Sequence, residues 1–186
     1  MRMFRIALLL IISATLVSCS GYRRPPEAFH QLLTEAYRLD SGDRLRIVVF
    51  GQDNLSNIYL IDQSGHISMP LIGSVAARGQ TLQEIEVSIA VMLKKGYIRD
   101  PDVSVQIDAY RPFFIMGEVN SAGQYAYVAG ITAQTAIAIA GGFSPRANQR
   151  TVDISRQING KVMHGRVKIT EPIRPGDTVY VRERLF

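Results

Sequence analysis

The chain has 186 residues, 47% of them hydrophobic and 20% charged, a composition typical of one or two folded domains and not of a disordered or fibrous protein. Its formal net charge at pH 7 is +5. A single cysteine excludes an internal disulfide and a multi-cysteine zinc site. The three histidines, His30, His66 and His164, are too widely separated in sequence to form a metal-binding motif.

The N-terminus has the features of an export signal. A basic start is followed by an apolar run over 6–17, which is shorter than the ~20 residues that a membrane-spanning helix needs. The run ends in Leu16-Val17-Ser18-Cys19, which has the form of a bacterial lipobox, and Cys19 is the only cysteine of the chain. We therefore predict a lipoprotein signal peptide over 1–18 and acylation of Cys19. An ordinary signal peptide with a buried Cys19, or an uncleaved anchor, is the alternative.

Acylation would decide where the mature chain resides. Each buried acyl methylene contributes about 0.8 kcal/mol, so several acyl chains hold a protein firmly on a membrane. Ser20 follows the cysteine, and by resemblance to bacterial sorting signals the absence of Asp there favours the outer membrane. Residues 19–36, which include Pro25 and Pro26, are predicted to be a lipidated polar tether with little order at its start.

An N-terminal unit of α+β type is predicted over 37–110. Its β-branched stretches at 44–50 and 58–61 predict strands. Residues 66–69 are predicted to close a hairpin with 58–61, after a turn at 62–65.

The same unit is predicted to contain one helix. Thr81 and Glu84 fit a capping box ahead of a stretch with one apolar face, and Gly96 marks its end. Residues 103–107 alternate between apolar and polar, as a half-buried strand does. The helix is therefore expected to pack against a small sheet.

A C-terminal unit, again pairing one helix with a small mixed sheet, is predicted over 111–186. Thr132 can cap a helix over 133–140 that ends at Gly141, and Asn159-Gly160 is typical of a hairpin turn. The predicted strands are 113–116, 125–128, 152–156, 161–169 and 178–181.

The two units share the pattern Gly-Asp-x-φ-x-φ, where φ is apolar, at 42–47 and 176–181. In each copy the glycine allows turn angles that a side chain resists, and the aspartate can accept hydrogen bonds from local backbone N–H groups. We interpret Asp43 and Asp177 as turn residues. A carboxylate pair for acid–base chemistry is the alternative.

Positive charge is concentrated in the C-terminal part of the chain. Residues 19–143 contain 10 Lys/Arg and 12 Asp/Glu, whereas 144–186 contain nine and four. This distribution could favour an anionic partner, and a solvated basic face without a partner is the alternative. Nucleic acid is not expected as a partner, because the protein is predicted to be exported and its basic residues lack an aromatic stacking pattern.

Together these stretches resemble the polysaccharide export lipoprotein family, the outer-membrane polysaccharide exporters. The fold class that the resemblance implies is α+β, with a polysaccharide export domain over 37–110, followed by a β-grasp-like SLBB (soluble-ligand-binding β-grasp) domain over 111–186, after a lipoprotein signal peptide. The stretches that carry the resemblance are 37–47, 62–73 and 79–84 in the N-terminal unit and 117–123, 132–143 and 174–179 in the C-terminal unit.

The resemblance implies a periplasmic protein, lipid-anchored to the outer membrane, that forms a homo-oligomeric ring and lines the export route of capsular polysaccharide or exopolysaccharide. It also implies an inner-membrane polysaccharide co-polymerase as a partner. Some larger members of the family continue into an amphipathic helix that forms a pore, whereas this sequence stops at 182–186, just after its last predicted strand. We therefore expect a separate outer-membrane channel protein to complete the route.

The resemblance implies transport without a chemical step, so the protein is not expected to be an enzyme, and no cofactor or metal is expected. Glycoside cleavage needs two carboxylates that flank one bond, whereas Asp and Glu here fall mostly at turns, caps and exposed strand positions. No Gly-x-Ser-x-Gly motif is present. The alternative function is a lipid-anchored binding protein for a small soluble or glycan ligand, which would show a concave apolar pocket.

Candidate glycan contacts follow from the export hypothesis. Tyr125 and Tyr127 could stack on sugar rings, although paired tyrosines in a strand more often pack against a core. Arg146, Arg150 and Arg156 lie in the basic C-terminal part and could line a path for an acidic polymer.

Overall fold

The computed structural model describes residues 36–158 and 160–184. They form two α+β units in series, each with several strands, one helix and its own buried hydrophobic cluster. No helix in this described part of the chain is both long and apolar enough to cross a membrane. The predicted signal peptide and most of the predicted tether lie outside the described residues.

A three-stranded antiparallel sheet forms the centre of the N-terminal unit. β1 is its middle strand, between β2 and β5. Leu45, Ile47 and Val49 alternate along β1 and are buried, so one face of the sheet supplies the core. In chain order the unit contains β1 (Arg44–Val49), a 3₁₀ turn (Asp53–Leu55), β2 (Asn57–Leu60), β3 (His66–Met69), β4 (Gly73–Ala76), α1 (Leu82–Lys94) and β5 (Val103–Ala109).

The predicted hairpin between 58–61 and 66–69 is wrong, because β3 pairs antiparallel with β4 in a separate two-stranded sheet. The turn before β3 forms as predicted, with Gly65 at φ +87°. The backbone oxygen of Gly65 accepts hydrogen bonds from the backbone N–H groups of Ala77 and Arg78, which brings the end of β4 back to the start of β3. The sequence hardly indicates β4, since its four residues contain one β-branched side chain.

The helix α1 begins as predicted. The Thr81 hydroxyl accepts a hydrogen bond from the backbone N–H of Glu84, and Glu84 Oε2 accepts one from the backbone N–H of Thr81 at 2.7 Å. Both halves of the capping box are therefore present. Ile85, Ile89 and Leu93 are fully buried in the core of this unit, and burial of such side chains contributes about 1.5–3 kcal/mol each.

A five-stranded mixed sheet forms the C-terminal unit, in the order β7-β6-β10-β8-β9. β6 and β10 are parallel, and the other neighbours are antiparallel. Ala133, Ala136 and Ile137 of α2 belong to the same buried cluster as the inward side chains of the sheet. In chain order the unit contains β6 (Phe113–Gly117), β7 (Gly123–Tyr125), α2 (Ala133–Ile139), β8 (Thr151–Ile158), β9 (Lys161–Lys168) and β10 (Thr178–Val181).

The elements of the C-terminal unit follow the predictions closely. β8 and β9 pair in continuous register from Ile158 opposite Lys161, which confirms the predicted hairpin. The short strand predicted at 125–128 lies instead at Gly123–Tyr125, where it pairs with β6. Tyr127 falls outside this strand, and its side chain lies at the junction between the two units.

Candidate functional site

The two Gly-Asp turns lie on either side of one residue, Arg111, where the units meet. Gly42 has φ +91° and Gly176 has φ +82°. A Cβ added at Gly42 would lie 3.3 Å from Cβ of Arg111, and one added at Gly176 would lie 2.6 Å from its Nε. Glycine is therefore required at both positions by the backbone conformation and, at Gly176, by the space that the Arg111 side chain occupies.

Asp43 holds Arg111 against the N-terminal unit. Its buried carboxylate accepts hydrogen bonds from the backbone N–H of Arg111 at 2.9 Å, the Tyr37 hydroxyl at 2.7 Å and the backbone N–H of Asp40 at 2.9 Å. The Arg111 guanidinium lies 3.4 Å from Asp43 Oδ2 and offsets the buried charge. Burial raises the pKa of Tyr37 far above its ordinary value despite the opposing effect of Arg111, so the hydroxyl remains a donor.

Asp177 is held in a comparable way within the C-terminal unit. Its carboxylate accepts two hydrogen bonds from Arg156, from Nε at 2.9 Å and from Nη2 at 2.7 Å, and one from the backbone N–H of Arg174 at 2.7 Å. Asp177 and Arg156 are both buried. The interpretation of Asp43 and Asp177 as turn residues is confirmed. Each carboxylate accepts a hydrogen bond from a backbone N–H group of its turn and also pairs with an arginine.

Three tyrosine rings cross the junction. Tyr110 packs edge-to-face against Tyr37 in the N-terminal unit, with centroids 5.1 Å apart, and against Tyr127 in the C-terminal unit, at 5.3 Å. The Tyr127 hydroxyl donates to the backbone oxygen of Ile173 at 3.2 Å, and burial raises its pKa. Aromatic pairs of this kind contribute about 0.5–1.5 kcal/mol each beyond their buried area, so they help to fix the two units relative to one another.

An arginine-lined cleft of about 470 Å³ lies beside this junction, with walls from both units. This volume is within the range of ordinary ligand-binding sites. Tyr37, Ser41 and Gln157 add hydroxyl and amide groups to the lining. The charged residues that line it in the described part of the chain are Arg38, Arg78, Arg111, Arg156, Arg174 and Asp40.

Two arginines of the cleft are well exposed, with 60% of the Arg38 side chain and 49% of the Arg78 side chain accessible. Arg38 Nη1 donates to the backbone oxygen of Gly79 at 2.7 Å and lies 3.6 Å from Glu84. Arg78 Nε donates to Asp40 Oδ1 at 3.0 Å. Exposed ion pairs contribute only about 0–1 kcal/mol. Arg78 is also held by hydrogen bonds from Nη2 to the backbone oxygen of Gln63 at 2.8 Å and to Ser41 Oγ.

The structure does not bring the predicted arginine contacts together. Arg156 borders the cleft but is 4% exposed and paired with Asp177, so it has a structural role and is not the surface contact that was predicted. Arg146 is exposed and lies 3.3 Å from Glu118, and Arg150 is exposed; neither lines the cleft.

The two predicted tyrosines are also engaged within the protein. The Tyr125 ring stacks on Phe113, with centroids 5.9 Å apart, and its hydroxyl donates to the backbone oxygen of Ser121 at 2.6 Å. Tyr127 is part of the junction. The predicted lipidation site, Cys19, lies outside the described residues.

Sequence reasoning missed Arg38, Arg78, Arg111 and Arg174. They come from four distant segments, and no local motif groups them. The repeated Gly-Asp pattern is the one signal that could have indicated where they meet, because both copies lie beside Arg111.

A second groove, of about 450 Å³, lies between β2 and β3 and is lined mainly by polar residues. Near it, Ser64 Oγ donates to Asp62 Oδ1 at 2.6 Å and lies 3.0 Å from His66 Nδ1. Hydrogen bonds from Ser64 and from the His66 backbone lower the pKa of Asp62. This is turn chemistry and not a catalytic triad, because the aspartate contacts the serine and does not orient the histidine.

The alternative function, binding of a small soluble or glycan ligand, would need a concave apolar pocket. Neither of these two grooves, both described within residues 36–158 and 160–184, is such a pocket. No group of three His, Cys, Asp or Glu residues in the same part of the chain is placed to hold a metal ion. What the described structure does contain is a charged cleft between two units that contact one another through Arg111 and the tyrosine rings.

Comparison with known proteins agrees with the order of the units. Residues 32–108 match the model of the polysaccharide biosynthesis/export protein family, and residues 112–165 match the SLBB domain. The chain is also 32% identical over 120 residues to the exopolysaccharide production protein ExoF of Rhizobium meliloti (strain 1021). That alignment covers 58% of this chain and 28% of ExoF.

The two matched domains and the similarity to ExoF together support a polysaccharide export protein family, which is the family that the sequence motifs predicted. Export proteins of this family are associated with the periplasm and the outer membrane, and they are generally non-catalytic.

Proposed function

We propose that this protein is a non-catalytic component of the route by which exopolysaccharide or capsular polysaccharide leaves the cell. The observation that carries the proposal is the succession of an export domain and an SLBB domain along one chain, matched from 32 to 165. The similarity to an exopolysaccharide production protein supports the same class of substrate.

Membrane attachment through Cys19 is part of the proposal. The lipobox at 16–19 supports cleavage before Cys19 and its acylation, with 19–36 as a tether to the outer membrane. Metabolic labelling with palmitate is expected to mark the wild-type protein and to leave a Cys19→Ala variant unmarked. An unlabelled wild-type protein would overturn this part of the proposal and leave the export role to be tested separately.

We also propose that several copies form a ring, with an inner-membrane polysaccharide co-polymerase as the partner on the side of synthesis. Phe114 and Met116 on β6 and Tyr180 on β10 are exposed on the sheet, and Tyr180 lies opposite Met116. Exposed aromatic and methionine side chains are typical of protein interfaces and support contacts between copies. Sedimentation of Met116→Glu should show a smaller species than wild type, whereas the control Val128→Glu, at a 63% exposed position, should not.

Deletion of the gene tests the export role. We expect surface polysaccharide to be lost while polymer or its lipid-linked precursor accumulates inside the cell, and the wild-type gene on a plasmid should reverse both effects. The length of polymer incubated with the purified protein should not change, because no bond is broken. Shortened polymer would instead indicate an enzyme.

A further inference from the structure

Strand β9 forms a long open edge of the C-terminal sheet. It has eight residues, and no strand of the described residues pairs with its outer side. The backbone N–H of Ile169 donates to the backbone oxygen of Arg150 at 3.3 Å, which sets the alternation of the ladder between β8 and β9. Val162 and His164 therefore turn their backbone N–H and C=O groups away from β8. These groups are a template on which another strand can pair.

The other edges of the described sheets are shorter or covered. β5 has seven residues, but Glu86 of α1 accepts a hydrogen bond from the backbone N–H of Val105 at 2.8 Å. β7, at the opposite edge of the sheet from β9, has three residues. Proteins usually shorten or cover an edge strand because an open edge invites another chain to pair with it, so the length of β9 indicates a surface that another strand occupies.

The outer edge of β2 has matching features. The backbone N–H of Ile61 donates to the backbone oxygen of Asp43 at 3.0 Å, so Leu60, one residue earlier, turns its backbone groups away from β1. No strand of the described residues pairs with this side of β2. The groove of about 450 Å³ between β2 and β3, which Leu60 lines, leaves space there for an incoming strand.

The charges around the two edges are complementary. β9 begins at Lys161, ends at Lys168 and contains no acidic residue. Residues 51–65, which include β2, contain Asp53 and Asp62 but no lysine or arginine. Opposite charges on neighbouring strands stabilise their pairing and like charges destabilise it, so β9 is suited to β2 and not to a second β9.

Each edge also carries an exposed aliphatic side chain. Leu60 is 59% exposed and Val162 is 62% exposed. Val162 lies on the same face of the sheet as Met116 and Tyr180, which are proposed above to contact a neighbouring copy. Because β2 and β9 are different surfaces, a contact between them is head-to-tail and can continue from copy to copy until a ring closes.

We propose that β9 of one copy pairs edge-to-edge with β2 of the next copy, and that this strand pairing links the copies of the ring. The inference rests on the proposed oligomerisation and deepens it by naming the two surfaces that meet. Val162 then lies beside Leu60 of the neighbouring copy, and the lysines of β9 lie near its aspartates.

Cysteine crosslinking of the full chain in cell envelopes tests the inference. Leu60→Cys and Val162→Cys are expressed together and treated with a short bismaleimide. Cross-strand neighbours have Cβ atoms about 4.5–5.5 Å apart, so we expect a crosslinked dimer when both variants are present and background when either is expressed alone. The wild-type chain, whose only cysteine is Cys19, gives the background.

Two matched pairs test the choice of β2. Val162→Cys combined with Gln124→Cys, on β7, and Val162→Cys combined with Val128→Cys, at a 63% exposed position, should both stay at background. A yield with Gln124→Cys that equals the yield with Leu60→Cys would overturn the inference. A dimer of Val162→Cys alone, equal in yield, would overturn it in favour of pairing between two β9 strands.

Removal of one backbone N–H tests whether the contact is a strand pairing. His164→Pro removes an outward N–H of β9 and His164→Ala keeps it, while both lose the 2.8 Å contact between His164 Nδ1 and Ser155 Oγ. Added to the cysteine pair, His164→Pro should lower the crosslinked fraction about fivefold relative to His164→Ala. Equal yields would contradict strand pairing.

Charge reversal keeps the test open if His164→Pro does not fold, as judged by circular dichroism. Lys161→Glu/Lys168→Glu should lower the crosslinked fraction several-fold, because it places acidic residues on both edges. The control Lys94→Glu/Lys95→Glu makes the same change in charge at exposed positions by the end of α1 and should leave the yield unchanged. An equal loss in the control would overturn the inference.

Failure of the inference is distinguishable from failure of the proposed function. If wild type sediments as an oligomer and Met116→Glu as a smaller species while Leu60→Cys and Val162→Cys stay at background, the ring stands and strand pairing is wrong. If wild type sediments as a monomer, the ring itself is wrong. If deletion of the gene leaves surface polysaccharide unchanged, the export role is wrong whatever crosslinks form.

Discussion

Replacing Arg156 by methionine is expected to destabilise the C-terminal unit strongly. The change leaves the Asp177 carboxylate, which is 1% exposed, without the two hydrogen bonds at 2.9 and 2.7 Å that Arg156 donates. Removing one member of a buried ion pair costs about 3–5 kcal/mol. A domain is stable by only about 5–15 kcal/mol, so the loss is a large fraction of the total.

Urea unfolding of the full chain measures this effect. The chain has eight tyrosines and no tryptophan, so tyrosine fluorescence and circular dichroism are suitable probes. The matched control is Arg146→Met, which breaks a pair at 3.3 Å in which the arginine side chain is 68% exposed, and should cost about 0–1 kcal/mol.

A double variant distinguishes the loss of the ion pair from the cost of leaving Asp177 buried and charged without a partner arginine. Arg156→Met/Asp177→Asn removes the uncompensated charge and keeps an acceptor for the backbone N–H of Arg174, so it should be more stable than Arg156→Met alone. If Arg156→Met and Arg146→Met destabilise the chain equally, by less than about 1 kcal/mol, the buried pair does not stabilise the fold.

Three further predictions concern stability. Gly117 has φ +88°, and Gly117→Ala would place a Cβ 2.1 Å from the backbone oxygen of Val181, so it should lower the free energy of unfolding by about 3–5 kcal/mol. The control Gly51→Ala, at φ +71° with open space around it, should lower it by about 1 kcal/mol. Equal shifts in melting temperature for the two variants would contradict this prediction. Thr81→Ala removes half of the capping box and should lower the free energy of unfolding by about 1 kcal/mol in urea. Burial raises the pKa of Asp153, but hydrogen bonds from its two arginine partners outweigh this and lower it overall. Its contribution to stability is therefore complete above the unfolded pKa of about 3.9 and is lost as the pH falls through the lower folded value, so Asp153→Asn should flatten the fall in urea midpoint below about pH 4.

Local signals in the sequence were sufficient for most elements. The capping box of Thr81 and Glu84 and the turns at Gly42 and Gly176 are each encoded within a few residues, and each forms as expected. Such features depend on backbone angles and on hydrogen bonds between near neighbours, which do not change with the rest of the fold.

Long-range pairing could not be predicted in the same way. The alternation of His66–Met69 identifies a strand, but the choice between β2 and β4 as its partner is made by packing across the core. The cleft likewise depends on the tertiary fold, because Arg174 of the C-terminal unit meets Arg38 and Arg78 of the N-terminal unit only when the two units are joined at Arg111.

The burial of Arg156 could have been predicted from the strand pattern. Val152, Ile154 and Arg156 share one face of β8, so the arginine points toward the side where both apolar residues are buried. Net charge alone suggested a surface role, whereas the period of the strand indicates a buried cation that needs a carboxylate such as Asp177.

Under the proposed function, the protein moves polysaccharide outward and does not make it. A pulse of labelled sugar, followed after the protein has been depleted, measures the label in total polymer and the label at the cell surface separately. We predict that the initial synthesis and the length of the polymer are unchanged while the surface fraction falls steeply. A surface fraction that stays constant while synthesis or polymer length drops would contradict the account.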